Sequence, residues 1–175
     1  HSMENALAAI AVGLRSGMEL GECAAAVGEM RAGDKRGELL EWRGATLIND
    51  CYNSNPRALD AMVDALMAIP GERHIVVAGE MLELGPEAEV LHEACGRRMA
   101  KRGVGIVVGV RGMADALVRG ASECGGEALF VDSPEDAGKW MEANIRAGDV
   151  VLLKASRGVK LEQALVGLVE QARRA

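Results

Sequence analysis

The sequence contains few aromatic residues. Of its 175 residues 49% are hydrophobic, yet only four are aromatic, namely Trp42, Tyr52, Phe130 and Trp140. A core must therefore be built from Val, Leu, Ile, Ala and Met, and the 22 glycines allow short turns and close helix packing. This composition is typical of repeated strand-helix units and predicts an α/β protein rather than a disordered chain.

Several other features are absent. The net charge is −6 and no basic stretch can follow a nucleic-acid backbone, so we expect no nucleic-acid partner. The four cysteines form no CxxC pair, which argues against a zinc site and for a reducing compartment, and we expect Cys23, Cys95 and Cys124 to be buried thiols. No apolar run approaches the roughly 18 residues of a membrane helix and no signal peptide is visible, so we expect a cytoplasmic protein without membrane insertion.

Hydrophobic periodicity divides the chain into a helical start and a longer α/β part. Residues 4–32 predict two helices broken at Gly17, whereas 1–3 are interpreted as an expression scar on a piece of a longer protein. The part from 33 to 175 predicts a Rossmann-like, doubly wound, mostly parallel sheet with flanking helices. Its predicted strands are 38–42, 45–49, 75–78, 106–108, 129–131 and 150–153, and its predicted helices are 56–69, 86–102, 112–124, 134–146 and 159–173.

Ligands of doubly wound sheets bind beyond the carboxyl ends of the strands, and the polar segment 50–56 follows one of these ends. Asp50 could accept two hydrogen bonds from a ribose diol. Tyr52, the only tyrosine, is suited to stacking or hydrogen bonding from a loop. Ser54 or Asn55 is more simply explained as the N-cap of the next helix, which has proline in its first turn.

Two further segments, 79–85 and 109–112, follow the predicted strands 75–78 and 106–108. Segment 79–85 carries two glutamates but implies no partner nucleophile, and we interpret it as a turn with Met81 and Leu82 packed inward and the acids in solvent. Segment 109–112 offers little beyond its glycines. His92 lies in a helical pattern and is interpreted as a capped or half-buried helix residue without a catalytic role.

The last polar segment, 154–158, places two cations and a hydroxyl between a strand and a helix. Lys154, Ser156 and Arg157 would suit a carboxylate or a phosphate, with a solvated basic turn as the alternative. Arg36 is another anion candidate, and a surface charge cluster explains it equally well. The sequence contains no GxxxxGK[ST] loop, so the phosphates of a bound nucleotide would not be cradled by this chain.

Three of these segments, in this order and spacing, resemble the C-terminal domain of the Mur ligases: DCYNSNP at 50–56, GEMLELG at 79–85 and KASR at 154–157. The start, ENALAA at 4–9, is similar to the last part of the family's central ATPase domain, where HNxxNALAA is usual. The resemblance implies that 4–32 is the helical tail of the central domain and that 33–175 is the Mur ligase C-terminal domain.

The resemblance also implies an activity, that of an ATP-dependent amide ligase of peptidoglycan synthesis. No DNPR-like motif of the diaminopimelate- or lysine-adding branch is found, which favours the branch that adds D-alanyl-D-alanine to UDP-N-acetylmuramoyl-tripeptide. The family has three domains, and its P-loop and metal-binding groups lie in the central one. The chain would therefore need the N-terminal and central domains, with ATP and Mg²⁺, and would supply no catalytic or metal-binding residue itself.

Individual roles follow from the same resemblance. Asp50 would bind the ATP ribose, Arg36 would reach the ATP phosphates, and Asn5 would match the adenine-side asparagine of the central domain. Lys154 or Arg157 would hold the carboxylate of the incoming dipeptide, because its amine must stay free to attack. The dipeptide pocket would be lined by Tyr52, Asn53, Asn55, Lys154, Ser156 and Arg157, and the sequence departs from the family's usual glycine, serine and acid at Ala155, Cys51 and Asn49.

Two other functions stay open from the sequence. A stand-alone Rossmann-like binding module would account for the missing P-loop and the missing nucleophile. Another ligase of the Mur or folylpolyglutamate type would share the fold, although we expect it to lack the combination of segments 50–56 and 79–85.

Overall fold

The computed structural model describes residues 2–29 and 35–168, and the chain divides into two compact units, His1–Gly33 and Asp34–Ala175. The first unit contains the two predicted helices, α1 (Ser2–Arg15) and α2 (Leu20–Glu29). The helices approach closely, since a Cβ atom at Gly13 would lie 2.6 Å from the Cys23 Sγ atom.

The second unit is built on one six-stranded sheet with the strand order β1-β2-β6-β3-β4-β5. β1 and β2 form an antiparallel hairpin, and every other neighbouring pair is parallel, so the predicted fold class is confirmed. The strands are β1 (Glu38–Trp42), β2 (Ala45–Asp50), β3 (Arg73–Gly79), β4 (Ile106–Val110), β5 (Glu127–Val131) and β6 (Asp149–Lys154), and the helices are α3 (Pro56–Ala68), α4 (Ala88–Lys101), α5 (Ala114–Glu123) and α6 (Pro134–Asn144).

The sheet has a hydrophobic core on each face, because successive side chains of a strand point to opposite sides. In β3, Val76 packs with residues of α3, α4 and α5, whereas Val77 packs with residues of α6 and of the helical turns after β6. The central strand β6 is buried along its whole length, as expected for a parallel strand covered on both faces.

Helices α4 and α5 approach each other through two glycines. A Cβ atom at Gly96 would lie 1.9 Å from the Leu117 carbonyl oxygen, and one at Gly120 would lie 2.0 Å from the Glu93 carbonyl oxygen. Any side chain at either position would therefore push the two backbones apart.

The structure differs from the prediction at the last helix. The predicted helix 159–173 is replaced by two short 3₁₀ turns, Arg157–Val159 and Leu161–Leu165, because Lys160 adopts the left-handed conformation between them. Residues 166–168 are helical, and the rest of the predicted helix lies outside the described residues. The apolar residues Leu161, Leu165 and Leu168 are nevertheless buried. The hydrophobic periodicity therefore identified the buried side chains of this segment but not its backbone conformation.

Two smaller findings complete the fold. Cys23 and Cys95 are buried as predicted, but the prediction for Cys124 is wrong: α5 ends at Glu123, and Cys124 is exposed in the turn that follows. Burial raises the pKa of the Cys95 thiol to about 11. In the described ranges, no helix has both the length and the apolar character needed to cross a membrane.

Candidate functional site

Asp50 and Lys154 form a buried ion pair at the carboxyl edge of the sheet. The two residues end the neighbouring strands β2 and β6 and are register partners, so the strand pairing itself brings them together. Lys154 is only 3% exposed, and its Nζ atom pairs with Asp50 Oδ2 and donates to the Asn53 carbonyl oxygen at 2.8 Å. The Lys154 charge is thus used inside the protein, where it fixes Asp50 and the loop after β2.

The loop after β2 shapes the start of α3. Asn55 is the N-cap of α3, and its Oδ1 atom accepts from the Ala58 N–H at 2.8 Å, which confirms the capping interpretation. Asn53 is exposed, and its Oδ1 atom accepts from the Ser54 N–H at 2.8 Å. Ser54 is buried, and its hydroxyl oxygen has no hydrogen-bond partner among the described residues.

Arg36 and Tyr52 form an exposed contact beside this loop. The Arg36 guanidinium carbon lies 3.9 Å from the centroid of the Tyr52 ring, a cation–π distance. The Tyr52 N–H donates to the Lys35 carbonyl oxygen at 3.2 Å, which anchors the segment before β1 against the loop after β2. The structure therefore places Arg36, which the resemblance assigned to the ATP phosphates, in contact with Tyr52, which it assigned to the dipeptide pocket.

Arg157 is exposed at the end of the same edge, with 55% of its side chain accessible. Its Nη1 atom donates to Glu162 Oε1, and Lys35 Nζ donates to the same oxygen at 2.7 Å. The pKa of Arg157 is raised, first by the hydrogen bond to Glu162 and further by the nearby Tyr52 and Cys51. Burial opposes ionisation of Glu162, but the hydrogen bonds from Lys35 and Arg157 outweigh it and lower the pKa of this carboxyl.

Ser156 joins three loops of the site. Its hydroxyl accepts from the Leu82 N–H at 2.9 Å and donates to the Ser54 carbonyl oxygen at 3.3 Å, while its own N–H donates to the Glu80 carbonyl oxygen. Ser156 is 4% exposed, so both of its groups act between loops. The residue fixes the relative positions of the segments after β2, β3 and β6.

The interpretation of segment 79–85 needs two corrections, and that of His92 needs one. Met81 is buried as predicted, but Leu82 is 41% exposed, and its N–H donates to the Ser156 hydroxyl. Glu80 is half-buried rather than solvated, and its Oε1 atom accepts from the Met113 N–H at 3.2 Å, next to the first turn of α5. His92 is fully buried, accepting from the Met81 N–H through Nε2 at 2.8 Å and donating from Nδ1 to the Ala88 carbonyl oxygen at 2.7 Å.

Asn5 is on α1, in the first unit, where it is exposed. Within 2–29 and 35–168, no group of three or more His, Cys, Asp or Glu side chains is placed to hold a metal ion. Sequence reasoning missed Lys35 and Glu162, whose ion pair joins positions 127 residues apart and leaves no local signal.

The sheet and its polar carboxyl edge define a class, that of the α/β domains that bind ligands beyond the ends of parallel strands. The chain belongs to the family "Mur ligase, glutamate ligase domain", which matches residues 35–157. This confirms the family that the three sequence segments indicated.

Individual relatives are similar over nearly the whole chain. UDP-N-acetylmuramoyl-tripeptide–D-alanyl-D-alanine ligase of Mycobacterium leprae is 35% identical over 92% of this chain and 35% of its own length, and the enzyme of the same name from Bacillus subtilis is 29% identical over 97% and 38%. The crystal structure of MurF ligase from Thermotoga maritima in complex with ADP has a TM-score of 0.73 and 26% identity, over 95% of this chain and 37% of that one. The chain thus spans little more than a third of the length of these relatives.

Proposed function

We propose that this chain is the C-terminal part of an ATP-dependent ligase that joins D-alanyl-D-alanine to UDP-N-acetylmuramoyl-tripeptide in peptidoglycan synthesis. The observation that carries the proposal is the 35% identity, over 92% of the chain, to a ligase named for this reaction. In the proposal, the N-terminal and central domains of the longer protein bind the tripeptide substrate and most of the ATP and Mg²⁺.

On the nucleotide side, we assign Asp50 to the ATP ribose and Arg36 to the ATP phosphates. A carboxylate has about four acceptor positions, so Asp50 can pair with Lys154 and still accept hydrogen bonds from a ribose. Lys154 then acts as a positioning residue that holds the Asp50 carboxylate in place. ATP, when bound, supplies the phosphoryl group that activates the tripeptide carboxyl, and Asn5 would contact the adenine side from α1.

On the dipeptide side, we assign the carboxylate to Arg157 rather than to Lys154. The Arg157 guanidinium is exposed and can form two parallel hydrogen bonds with a carboxylate, whereas the Lys154 ammonium is buried in its ion pair. Holding the carboxylate there leaves the dipeptide amine free to attack the activated carboxyl. Tyr52 and Asn53 present exposed side chains for the rest of the dipeptide, while Asn55 and Ser156 shape the pocket through the backbone bonds described above.

The first unit supports its assignment to the tail of a larger domain. Its helices leave large apolar side chains in solvent: Leu7 and Leu14, which share one face of α1, are 62% and 46% exposed. An apolar helix face of this kind is normally covered in a folded protein. We therefore propose that residues 4–32 complete a central ATPase domain, whose other segments cover these side chains, and that 33–175 is the C-terminal domain.

The proposal is tested by mixing this chain with the separately produced N-terminal and central domains, together with ATP, Mg²⁺, UDP-N-acetylmuramoyl-tripeptide and D-alanyl-D-alanine. We expect phosphate release that requires the dipeptide. In the same assay D50N should raise the KM for ATP about tenfold or more, and by more than it raises the KM for the dipeptide, since one or two charge-assisted hydrogen bonds to the ribose are weakened.

The control is D136N, which removes a carboxylate from an exposed ion pair on α6 and should leave both KM values unchanged. Unchanged ATP kinetics in D50N would remove Asp50 from the nucleotide site. If the mixture is inactive and calorimetry detects no dipeptide binding to the chain, the stand-alone binding module becomes the better explanation. Turnover with glutamate in place of the dipeptide would instead favour a folylpolyglutamate-type ligase.

A further inference from the structure

The Glu162 side chain pairs with two cations that lie far apart in the sequence of the second unit. Lys35 precedes β1 and Arg157 follows β6, and both donate to the same carboxylate oxygen, Oε1. The three side chains differ in exposure, since 55% of Arg157 and 31% of Lys35 but only 17% of Glu162 is accessible. The cations can therefore be approached from solvent, while the carboxylate lies beneath them.

Only one oxygen of the Glu162 carboxylate, Oε1, accepts hydrogen bonds from these cations. Its second oxygen, Oε2, is buried and has no hydrogen-bond partner in the part of the chain that the structure describes. A buried acceptor without a partner is unfavourable. A purely structural ion pair would gain by using both oxygens. Because Lys35 also donates to Oε1, Glu162 keeps one cation when Arg157 binds another anion.

The neighbourhood of this pair favours an anion. Arg36 lies over the Tyr52 ring, and Tyr52 is close enough to Arg157 to contribute to the rise in its pKa. Three of these side chains are positive and one is negative, so the group of Lys35, Arg36, Arg157 and Glu162 carries a net charge of +2. A further negative group would thus be attracted to the surface where Arg157 is exposed.

We propose that Glu162 is an internal substitute for a ligand's anionic group: it occupies Lys35 and Arg157 in the free chain, and the ligand displaces it from Arg157. The identification of that group as the dipeptide carboxylate rests on the proposed function. Because binding then requires the ion pair to open, the apparent affinity is the intrinsic affinity multiplied by the fraction of open molecules. Glu162 thereby weakens the binding of every anion at Arg157 by the same factor.

The test is an NMR titration of the full chain with D-alanyl-D-alanine, with its C-terminal amide and with inorganic phosphate. E162Q keeps the side-chain volume and a hydrogen-bond acceptor but removes the competing charge. If Glu162 occupies the cations for about nine tenths of the time, E162Q should bind D-alanyl-D-alanine about tenfold more tightly than the wild type. The C-terminal amide should bind neither protein, and the gain should be lost in the double variant R157Q/E162Q.

A matched control is E123Q, which neutralises a carboxylate in an exposed ion pair with Arg97 at the end of α5 and should leave the dissociation constant unchanged. A measurement on the wild type covers the case in which E162Q does not fold. Saturation with D-alanyl-D-alanine should shift the carbon resonance of the Glu162 carboxyl, because that group loses the Arg157 hydrogen bond.

The outcomes separate this inference from the proposed function. Equal dipeptide affinity in wild type and E162Q, or an unmoved Glu162 resonance at saturation, would overturn the role of Glu162 while keeping the dipeptide site. If the dipeptide binds neither protein but phosphate binds E162Q about tenfold more tightly, the displacement stands and the dipeptide assignment falls. No gain with either anion would overturn the inference.

Discussion

Lys154 and Asp50 are paired in the interior of the second unit, so the loss of either charge leaves the other unpaired in a site with little access to water. Replacing both by uncharged side chains removes the attraction together with the cost of burying the charges. The pair is thus expected to be far more sensitive to single than to double substitution.

We predict that K154M lowers the free energy of unfolding by about 3–5 kcal/mol, and that D50N/K154M loses much less than the sum of the two single variants. Urea denaturation of the four proteins measures this cycle. K139M, which breaks an exposed ion pair on α6, should change the stability by no more than about 0.5 kcal/mol. A K154M protein as stable as the wild type would mean that Asp50 is not effectively buried.

At the scale of single residues, local sequence patterns predicted some residues of the site and missed others. The cap of α3 was predicted to be Ser54 or Asn55, because their position before Pro56 is a local signal, and the structure identifies it as Asn55. The polar residues at the ends of β2 and β6 indicated Asp50 and Lys154 as site residues. Their contact could not be predicted, because neither segment indicates which strands are neighbours in the sheet. Glu162 was missed because its partners lie at positions 35 and 157, one of them far away in sequence.

Between elements, the contact of α4 with α5 depends on the absence of side chains at Gly96 and Gly120. The nearest atoms are backbone carbonyl groups on the opposite helix, which cannot rotate away as a side chain would. The two helices therefore sit closer together than helices with larger residues at their contact.

We predict that G96A lowers the free energy of unfolding by about 3 kcal/mol, the upper part of the usual range for overpacking, although alanine is the better helix former. Thermal unfolding followed by circular dichroism measures the loss. The matched control is G28A in α2, where an added Cβ atom meets nothing within 4 Å and the main transition should stay in place. A G96A protein that melts like the wild type would show that α4 and α5 can separate at little cost.

The number of strands and of helices up to α6, their order along the chain and their approximate bounds were predictable, because hydrophobic periodicity with glycine and proline signals marks each element. The segment after β6 was not, because the left-handed conformation of Lys160 has no signal in a residue type that seldom adopts it. The inward position of Leu82 was predicted from its apolar character alone, whereas the side chain is 41% exposed.

For the whole molecule, the carboxylate of Asp149 couples stability to pH. Burial alone would raise its pKa, but hydrogen bonds from Arg73 and from the Arg146 backbone N–H hold the pKa below its usual value. A carboxyl whose pKa is lower in the folded than in the unfolded chain stabilises the fold above the unfolded value of about 3.9. That contribution is lost as the pH falls through the folded value.

We predict that D149N is less stable than the wild type at pH 7 and that the difference shrinks as the pH falls below about 4, because the carboxyl of the unfolded chain then binds a proton that the folded chain still excludes. Urea midpoints at pH 7, 5 and 3 measure it. D64N, which removes an exposed partner of Arg102, should differ little from the wild type at any of these pH values. A constant difference between D149N and wild type across the range would mean that the Asp149 charge does not contribute.

The strand order has a consequence for how the polypeptide reaches this state as it is made. β6 is the last strand in sequence but lies between β2 and β3, so both of these strands expose unpaired edges until residue 154 has left the ribosome. A nascent chain that stops earlier offers two open strand edges to other chains, and such edges promote aggregation. Synthesis past β6 is thus the event that closes the sheet.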